Sequence, residues 1–268
     1  MQVLLPPSET KRVGGVGRFH DSALAHASAL GSARERVKLA LRELSADEPA
    51  AITALKLGAK SRSDLVHNRV LETSGTMPSI ERYTGVLYDA LGVMELGGDA
   101  RQWIAAHVLV QSSLFGLIGA DDPIPAYRLS ASSRLKVDGA NFQTLWRDAH
   151  ESIDWRGLGW ILDLRSKDYA ALAPLPEGIG TALQVTQRSA DGTVKALNHF
   201  NKAAKGDLVR RLARSQARLE NANQLADWAT ANGLEVHLGD NSNELILVTD
   251  LQVGTTGTNP QASARRSG

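Results

Sequence analysis

The sequence predicts a mixed α/β (α+β) protein folded as one compact domain. Three observations predict it. Apolar runs of strand length, such as Val3-Leu4-Leu5 and Trp160-Ile161-Leu162, alternate with stretches whose apolar residues recur at helical period. No linker divides a helical part from a strand part, so residues 1–253 read as one domain. The length of 268 residues and a hydrophobic content of 43% supply a sizeable core.

The elements follow in order. Gln2 to Leu5 reads as a buried strand ended by Pro6-Pro7. Residues 12–17 are glycine-rich and read as a loop, and residues 22–45 as a helix. In that helix Ser32 and Glu35 have capping-box spacing, with Val37, Leu41 and Leu44 beyond them. Ser45-Ala-Asp-Glu48 has the same spacing and opens a shorter helix that carries Ile52 and Leu55 and stops at Gly58. Ser61-Arg-Ser-Asp64 starts the next helix. Tyr83-Thr84-Gly85 precedes a helix holding Leu87 and Leu91. His107 to Phe115 reads as a buried strand, Gly116 to Pro125 as a loop, Gln143 to His150 as a helix and Trp160 to Leu164 as a strand. Ala182 to Arg188 and Val194 to Phe200 read as a hairpin around Asp191-Gly192. Lys205 to Trp228 is helical, one helix or two, and strands follow at Glu235–Leu238 and Glu244–Val248. Residues 254–268 read as a disordered tail.

Composition excludes several classes of function. The chain has no cysteine, so disulfides, thiolate chemistry and cysteine-ligated metals are absent. A net charge of +1 and a pI near 8.0 demand no acidic partner, and any basic surface must be local. Pro6-Pro7 cut the first apolar run short of a signal peptide, and no run approaches a membrane span. The expectation is a cytoplasmic protein with no membrane partner. The seven histidines are scattered and no cofactor motif occurs, so neither metal nor cofactor is expected.

Four constellations carry chemistry. Ser8, Glu9, Thr10 and Lys11 stand at a strand exit, where ligands of open sheets bind, and Ser8 with Lys11 suits a phosphate. The same residues also fit a helix cap with solvated charges. Gly58, Lys60 and Arg62 lie between two short helices, as in a helix-hairpin-helix whose backbone amides bind a DNA phosphate, or as in an ordinary helical corner. Lys202 and Lys205 precede Arg211, Arg214 and Arg218, which share one helix face with no interleaved acid. That face serves a phosphate backbone or is simply solvated. Arg128, after Pro123 and Pro125, can clamp an anion or pair with Asp121 or Asp122. Ser166 follows the strand at 160–164, and Asp163 and Asp168 flank its exit, where either serves as a general base or neutralises a Lys or Arg; for a glycosidic-bond hydrolase Asp168 is the carboxylate chosen.

Several segments occur together in a fixed order: LLPPSETK at 4–11, RYTGVLYDAL at 82–91, SSLFGLIGADDPIPAYRL at 112–129, LDLRSKDY at 162–169 and HFNKAAKG at 199–206. On these motifs the chain resembles the YaaA family (DUF328, UPF0246), in particular its actinobacterial branch, over about residues 1–250. The resemblance implies a cytosolic peroxide-stress protein linked to limiting free iron. It implies an α/β fold with a helix-hairpin-helix, a basic cleft and affinity for DNA. The hairpin maps onto Leu57, Gly58, Lys60 and Arg62, and the cleft onto Lys11, Arg128, Lys202 and Lys205. Here the hairpin reads Leu57-Gly58-Ala59-Lys60, where family members carry a sequence closer to Met-Gly-Ile-Ser.

Two functions compete. The first is binding of structured or damaged DNA. The second is an enzyme acting on a nucleotide, nucleoside or other small phosphorylated ligand, for example by hydrolysing an N-glycosidic bond. Ser8, Lys11, Tyr83, Thr84, Arg128, Ser166, Lys202 and Lys205 would bind that ligand, and Asp168 with Lys202 would act chemically. Convergence of these residues favours the second reading, and spread along a groove favours the first.

Overall fold

Val3, Leu4 and Leu5 have no exposed surface, as a central strand apolar on both faces requires. The computed structural model describes residues 1–188, 194–195, 198–241 and 243–249, and this run is its strand β1 (Gln2–Leu5). Then come α1 (Ala27–Ala46), α2 (Glu48–Ala54), a 3₁₀ segment over Ala59–Asp64 and α3 (Leu65–Arg69). Strand β2 (Met77–Pro78) leads into α4 (Ser79–Arg82), α5 (Val86–Leu91) and α6 (Gly98–His107). After these follow β3 (Val108–Ser112), β4 (Gly116–Gly119), β5 (Pro123–Ile124), β6 (Lys136–Val137), β7 (Ala140–Asn141) and α7 (Phe142–His150). The chain continues through β8 (Ile161–Asp163), α8 (Lys167–Ala170), β9 (Thr181–Arg188) and β10 (Val194–Lys195). It ends in α9 (Asn198–Ser215), α10 (Ala222–Ala231), β11 (Glu235–Leu238) and β12 (Glu244–Thr249).

The main sheet runs β11-β12-β9-β8-β1-β3-β4, with β10 paired to β9. β12, β9, β8, β1 and β3 are mutually parallel, and β11 and β4 close the two edges antiparallel. The register sets Val3 beside Val108 and Leu162, so the apolar centres of three strands stack in one row. From β1 the chain moves to β3 on one flank and later returns to β8 on the other. The carboxyl ends of β1 and β8 therefore bound the crevice where strand order reverses, the usual ligand position in such sheets.

Helices shield the sheet in two groups. α1 packs with α2, α3 and α7, and α9 packs with α5 and α6. α5 and α9 approach so closely that a side chain at Gly206 would overlap the Leu87 carbonyl oxygen. Among the described residues, Arg34 and Arg82 are fully buried with no carboxylate partner. Arg34 donates to the Phe115, Ala25 and Leu117 carbonyls, and Arg82 to those of Ile124, Arg12, Gly14 and Gly75. Arg82 thereby fastens the glycine-rich loop at residues 12–17.

Several elements differ from the sequence reading. α1 starts at Ala27, so Ser32 lies inside it and caps nothing. α2 is capped by Asp47, whose carboxylate accepts the Ala50 N–H at 3.1 Å, while Ser45 is buried against Asn68. α2 stops at Ala54, before Gly58. The strand at 107–115 ends at Ser112, because the Ser112 hydroxyl accepts the Leu114 and Phe115 N–H groups and turns the chain. Residues 116–125, read as loop from their Gly, Asp and Pro, contain β4 and β5. Asn198 to Phe200 open α9 and do not extend a strand. Asp191-Gly192 and the tail at 254–268 lie outside the described residues.

Candidate functional site at the carboxyl ends of β1 and β8

No helix starts within residues 6–20, so the Ser8 to Lys11 cluster caps nothing. Pro6-Pro7 end the ladder, and the loop folds against the segment between α4 and α5. Thr84 N–H donates to the Thr10 carbonyl at 3.2 Å, Arg12 N–H donates to the Arg82 carbonyl at 2.8 Å, and Lys11 pairs with Tyr83 as an antiparallel bridge. Tyr88 donates its hydroxyl to the Pro6 carbonyl at 2.9 Å and so holds the start of the same loop. Two loops are thus zipped together over the end of β1.

The zip gathers three hydroxyls. Ser8 Oγ lies 3.3 Å from Thr10 Oγ1, and Thr84 Oγ1 donates to Thr10 Oγ1 at 3.0 Å. Gly85 adopts φ +98°, and a Cβ there would stand 3.3 Å from Ser8 Oγ, so glycine keeps this corner open. Arg128 joins from the far side of the loop. Its Nη1 donates to the Glu9 carbonyl and its Nη2 meets Glu9 Oε2, both at 3.0 Å. Arg128 therefore pairs with Glu9, and not with Asp121 or Asp122. Asp122 accepts the Ala25 and Gly119 N–H groups instead.

Lys11 is half-buried at the centre of this arrangement. Its Nζ lies 4.0 Å from the centre of the Tyr127 ring and 5.3 Å from that of Tyr83. It donates to the Ser8 carbonyl at 2.9 Å and approaches the Glu9 carbonyl at 3.5 Å. No carboxylate pairs with it among the described residues. Burial pulls its pKa from 10.5 down to about 7, against the raising influence of Glu9, while Arg128 adds to the lowering. Behind it the phenols of Tyr83 and Tyr127 hydrogen-bond at 2.9 Å, and Tyr127 meets Ser112 Oγ at 2.9 Å. Burial raises all three tyrosines around the site, Tyr83, Tyr88 and Tyr127, so they stay protonated.

One strand over, β8 delivers a second group. Lys205 of α9 is buried and donates to the Leu164 carbonyl at 3.0 Å. Burial lowers its pKa to about 8, against Asp163. Asn201, one helical turn earlier on the same face, has a buried amide oxygen with no hydrogen-bond partner among the described residues. Lys202 is exposed between them, and Ser166 and Asp168 are exposed at the start of α8. Asp163 lies under this exit, bound to Arg165 by three hydrogen bonds of 2.7–2.9 Å.

The structure thus joins Ser8, Lys11, Tyr83, Thr84 and Arg128 into one cluster and sets Lys205 at the adjacent strand end. Gly58, Lys60 and Arg62 are exposed, but the left-handed residue of their turn is Lys56, and a 3₁₀ segment over Ala59–Asp64 comes before the second helix, which is the short α3. The far row on α9 is also modified. Arg211 Nε bonds Asp207 at 2.7 Å, so an acid does interrupt that face; Arg214 stays exposed, but the helix ends at Ser215 and the chain turns at Gln216 (φ +50°), so Arg218 is exposed off the helix and does not share the face. Thr10, Tyr88, Ser112 and Tyr127 all lie within the motifs of the sequence, but their part in the site was not legible there, because it rests on contacts that only the fold creates. The described residues contain no cluster of ligating side chains for a metal and no helix long and apolar enough to cross a membrane.

A mixed, mainly parallel sheet with a cluster of hydroxyls, lysine and arginine at its switch point defines the class, an α/β protein with a candidate site at the strand exits. The chain belongs to the peroxide stress protein YaaA family, whose model matches residues 1–237. It is 38% identical over 251 residues to a UPF0246 protein of Corynebacterium glutamicum, covering 92% of this chain and 98% of that one. It is 39% identical over 240 residues to a UPF0246 protein of Streptomyces coelicolor, covering 88% and 92%.

Proposed function

We propose that this chain is a peroxide-stress protein that binds DNA through a basic surface centred on Lys11. The observation that carries this reading is the Asn68 clamp. Asn68, on α3, accepts the Arg128 N–H at 2.7 Å and donates to the Arg128 carbonyl at 2.9 Å. The segment bearing exposed Lys60 and Arg62 is thereby locked to the loop bearing Arg128, which grips the loop bearing Lys11. A charged track leading to one deeper cation suits a phosphate backbone with one nucleotide drawn inward. Fluorescence anisotropy with a labelled duplex tests it. Three neutralised phosphates give about a 40-fold loss of affinity between 50 and 200 mM salt. Absence of binding at 50 mM salt to duplex, bubble and junction DNA defeats the reading.

The gathering of three hydroxyls around a lysine at a switch point favours a second reading, a site for a small phosphorylated nucleotide-like ligand. In it Ser166, Lys202 and Lys205 complete the ligand contacts, and Asp168 is the acid or base for cleaving an N-glycosidic bond. A thermal-shift screen of nucleoside mono- and diphosphates separates the two. Stabilisation by a mononucleotide without salt-sensitive duplex binding selects the second.

A further inference from the structure

We propose that Lys11 is a nucleophilic amine that forms an imine with the aldehyde carbon of a phosphorylated deoxyribose. Such an aldehyde is presented by an abasic site in DNA or by free 2-deoxyribose 5-phosphate. The inference rests on the reading of the Lys11 cluster as a phosphate site.

The geometry around Nζ carries it. A neutral amine has two N–H bonds and one lone pair. The loop offers two acceptors, the Ser8 carbonyl at 2.9 Å and the Glu9 carbonyl at 3.5 Å. With both N–H groups directed at them, the lone pair is the remaining tetrahedral direction. The carboxylates that favour the proton on Nζ, Glu9 and Asp64, act through space only, Glu9 being bound to Arg128, and the Arg128 and Arg82 guanidiniums oppose them. By contrast Lys38 is tied to both Asp21 and Glu35 and stays an ammonium. The faces of Tyr83 and Tyr127 wall the amine on its buried side, and burial brings it to about 7, where half of it is a free base at neutral pH.

The remaining groups suit the rest of that sugar. The Ser8, Thr10 and Thr84 hydroxyls, which a phosphate on the same ligand would draw from one another, line this corner, and Arg128, held by Glu9, adds positive charge beside them. The step balances without a further reagent. The Nζ lone pair adds to the aldehyde carbon, the carbonyl π pair moves to oxygen and takes a proton, and the resulting carbinolamine loses water to leave the imine. Addition of water reverses the sequence and returns lysine and aldehyde.

Reductive trapping tests it on the full chain. The protein is incubated with cyanoborohydride and either a labelled duplex holding one abasic site or 2-deoxyribose 5-phosphate, and the adduct is mapped by peptide mass spectrometry. The expected result is a secondary amine at Lys11, abolished in Lys11→Arg and Lys11→Met and kept in Lys136→Arg. An adduct with the duplex identifies DNA as the source. An adduct with the sugar phosphate alone keeps the inference and removes the DNA reading. Absence of an adduct in the wild type, or one that maps elsewhere and persists in both Lys11 variants, overturns the inference. Anisotropy with intact duplex in the same samples shows separately whether DNA binding stands.

Discussion

Two charged clusters occupy neighbouring strand exits of the same sheet and are built in opposite ways. After β8, Arg165 and Asp163 are almost wholly buried and bind each other three times, with Arg165 Nη1 also donating to the Ala173 carbonyl at 2.9 Å. After β1, Lys11 is enclosed by rings and carbonyls but faces no paired carboxylate. A buried charge whose partners are all protein groups has nothing left for a ligand. The Lys11 amine has no counter-charge, so its ammonium form carries a desolvation cost that an anionic ligand or loss of the proton removes. The first cluster is thus architecture, and the second is the candidate site.

The largest effect expected from this contrast is at Asp163. Asp163→Asn leaves Arg165 buried against a neutral partner and is expected to cost about 3–5 kcal/mol. Urea denaturation reads it, and a loss under about 1 kcal/mol breaks the architectural half of the comparison.

Lys11→Met is expected to move the other way. It keeps the contacts with Tyr83 and Tyr127, removes a desolvated amine, and is expected to stabilise the fold by about 1 kcal/mol while weakening phosphate ligands. The pH dependence follows from linkage. The folded value near 7 lies below the unfolded 10.5, so between them the unfolded state binds the extra proton and stability rises with pH. The advantage of Lys11→Met is therefore largest below about pH 7 and falls steadily above it, reversing in favour of the wild type before pH 10.5. Denaturation of both proteins at pH 6.5 and 9.5 measures the change. An equal difference at both values contradicts the lowered lysine.

The contrast also shows what the sequence could reveal. β1, β8, α5 and α7 were legible, because apolar runs and helical periods carry their own signal. Ser8, Lys11, Tyr83, Thr84 and Arg128 were legible as candidates, since each belongs to a motif of polar residues beside an apolar run. Their joining was not, because it depends on the Thr10–Thr84 and Arg12–Arg82 backbone bonds across about 70 residues of chain. The Arg165–Asp163 pair was hidden for a related reason. In sequence Asp163 reads either as a base or as a partner for a Lys or Arg, and only its burial against Arg165 selects the second. β4 and β5 were missed because their flanking Gly, Asp and Pro mask short apolar pairs such as Leu117-Ile118.

The smallest expected effects separate the two outlying basic regions. Arg62 stands on the segment that Asn68 locks to Arg128, whereas Arg214 lies near the far end of α9, beyond an Arg211 already held by Asp207. If the track toward Lys11 is the one that follows DNA, Arg62→Glu lowers duplex affinity by about tenfold at low salt, a little over one phosphate contact. Arg214→Glu then lowers it by about twofold or less, through long-range repulsion alone. Anisotropy titrations at 50 and 200 mM salt measure both, and the Arg214 effect fades at the higher salt as screening shortens its reach. The reverse order of effects moves the DNA track to α9 and leaves the Lys11 cluster to a small ligand.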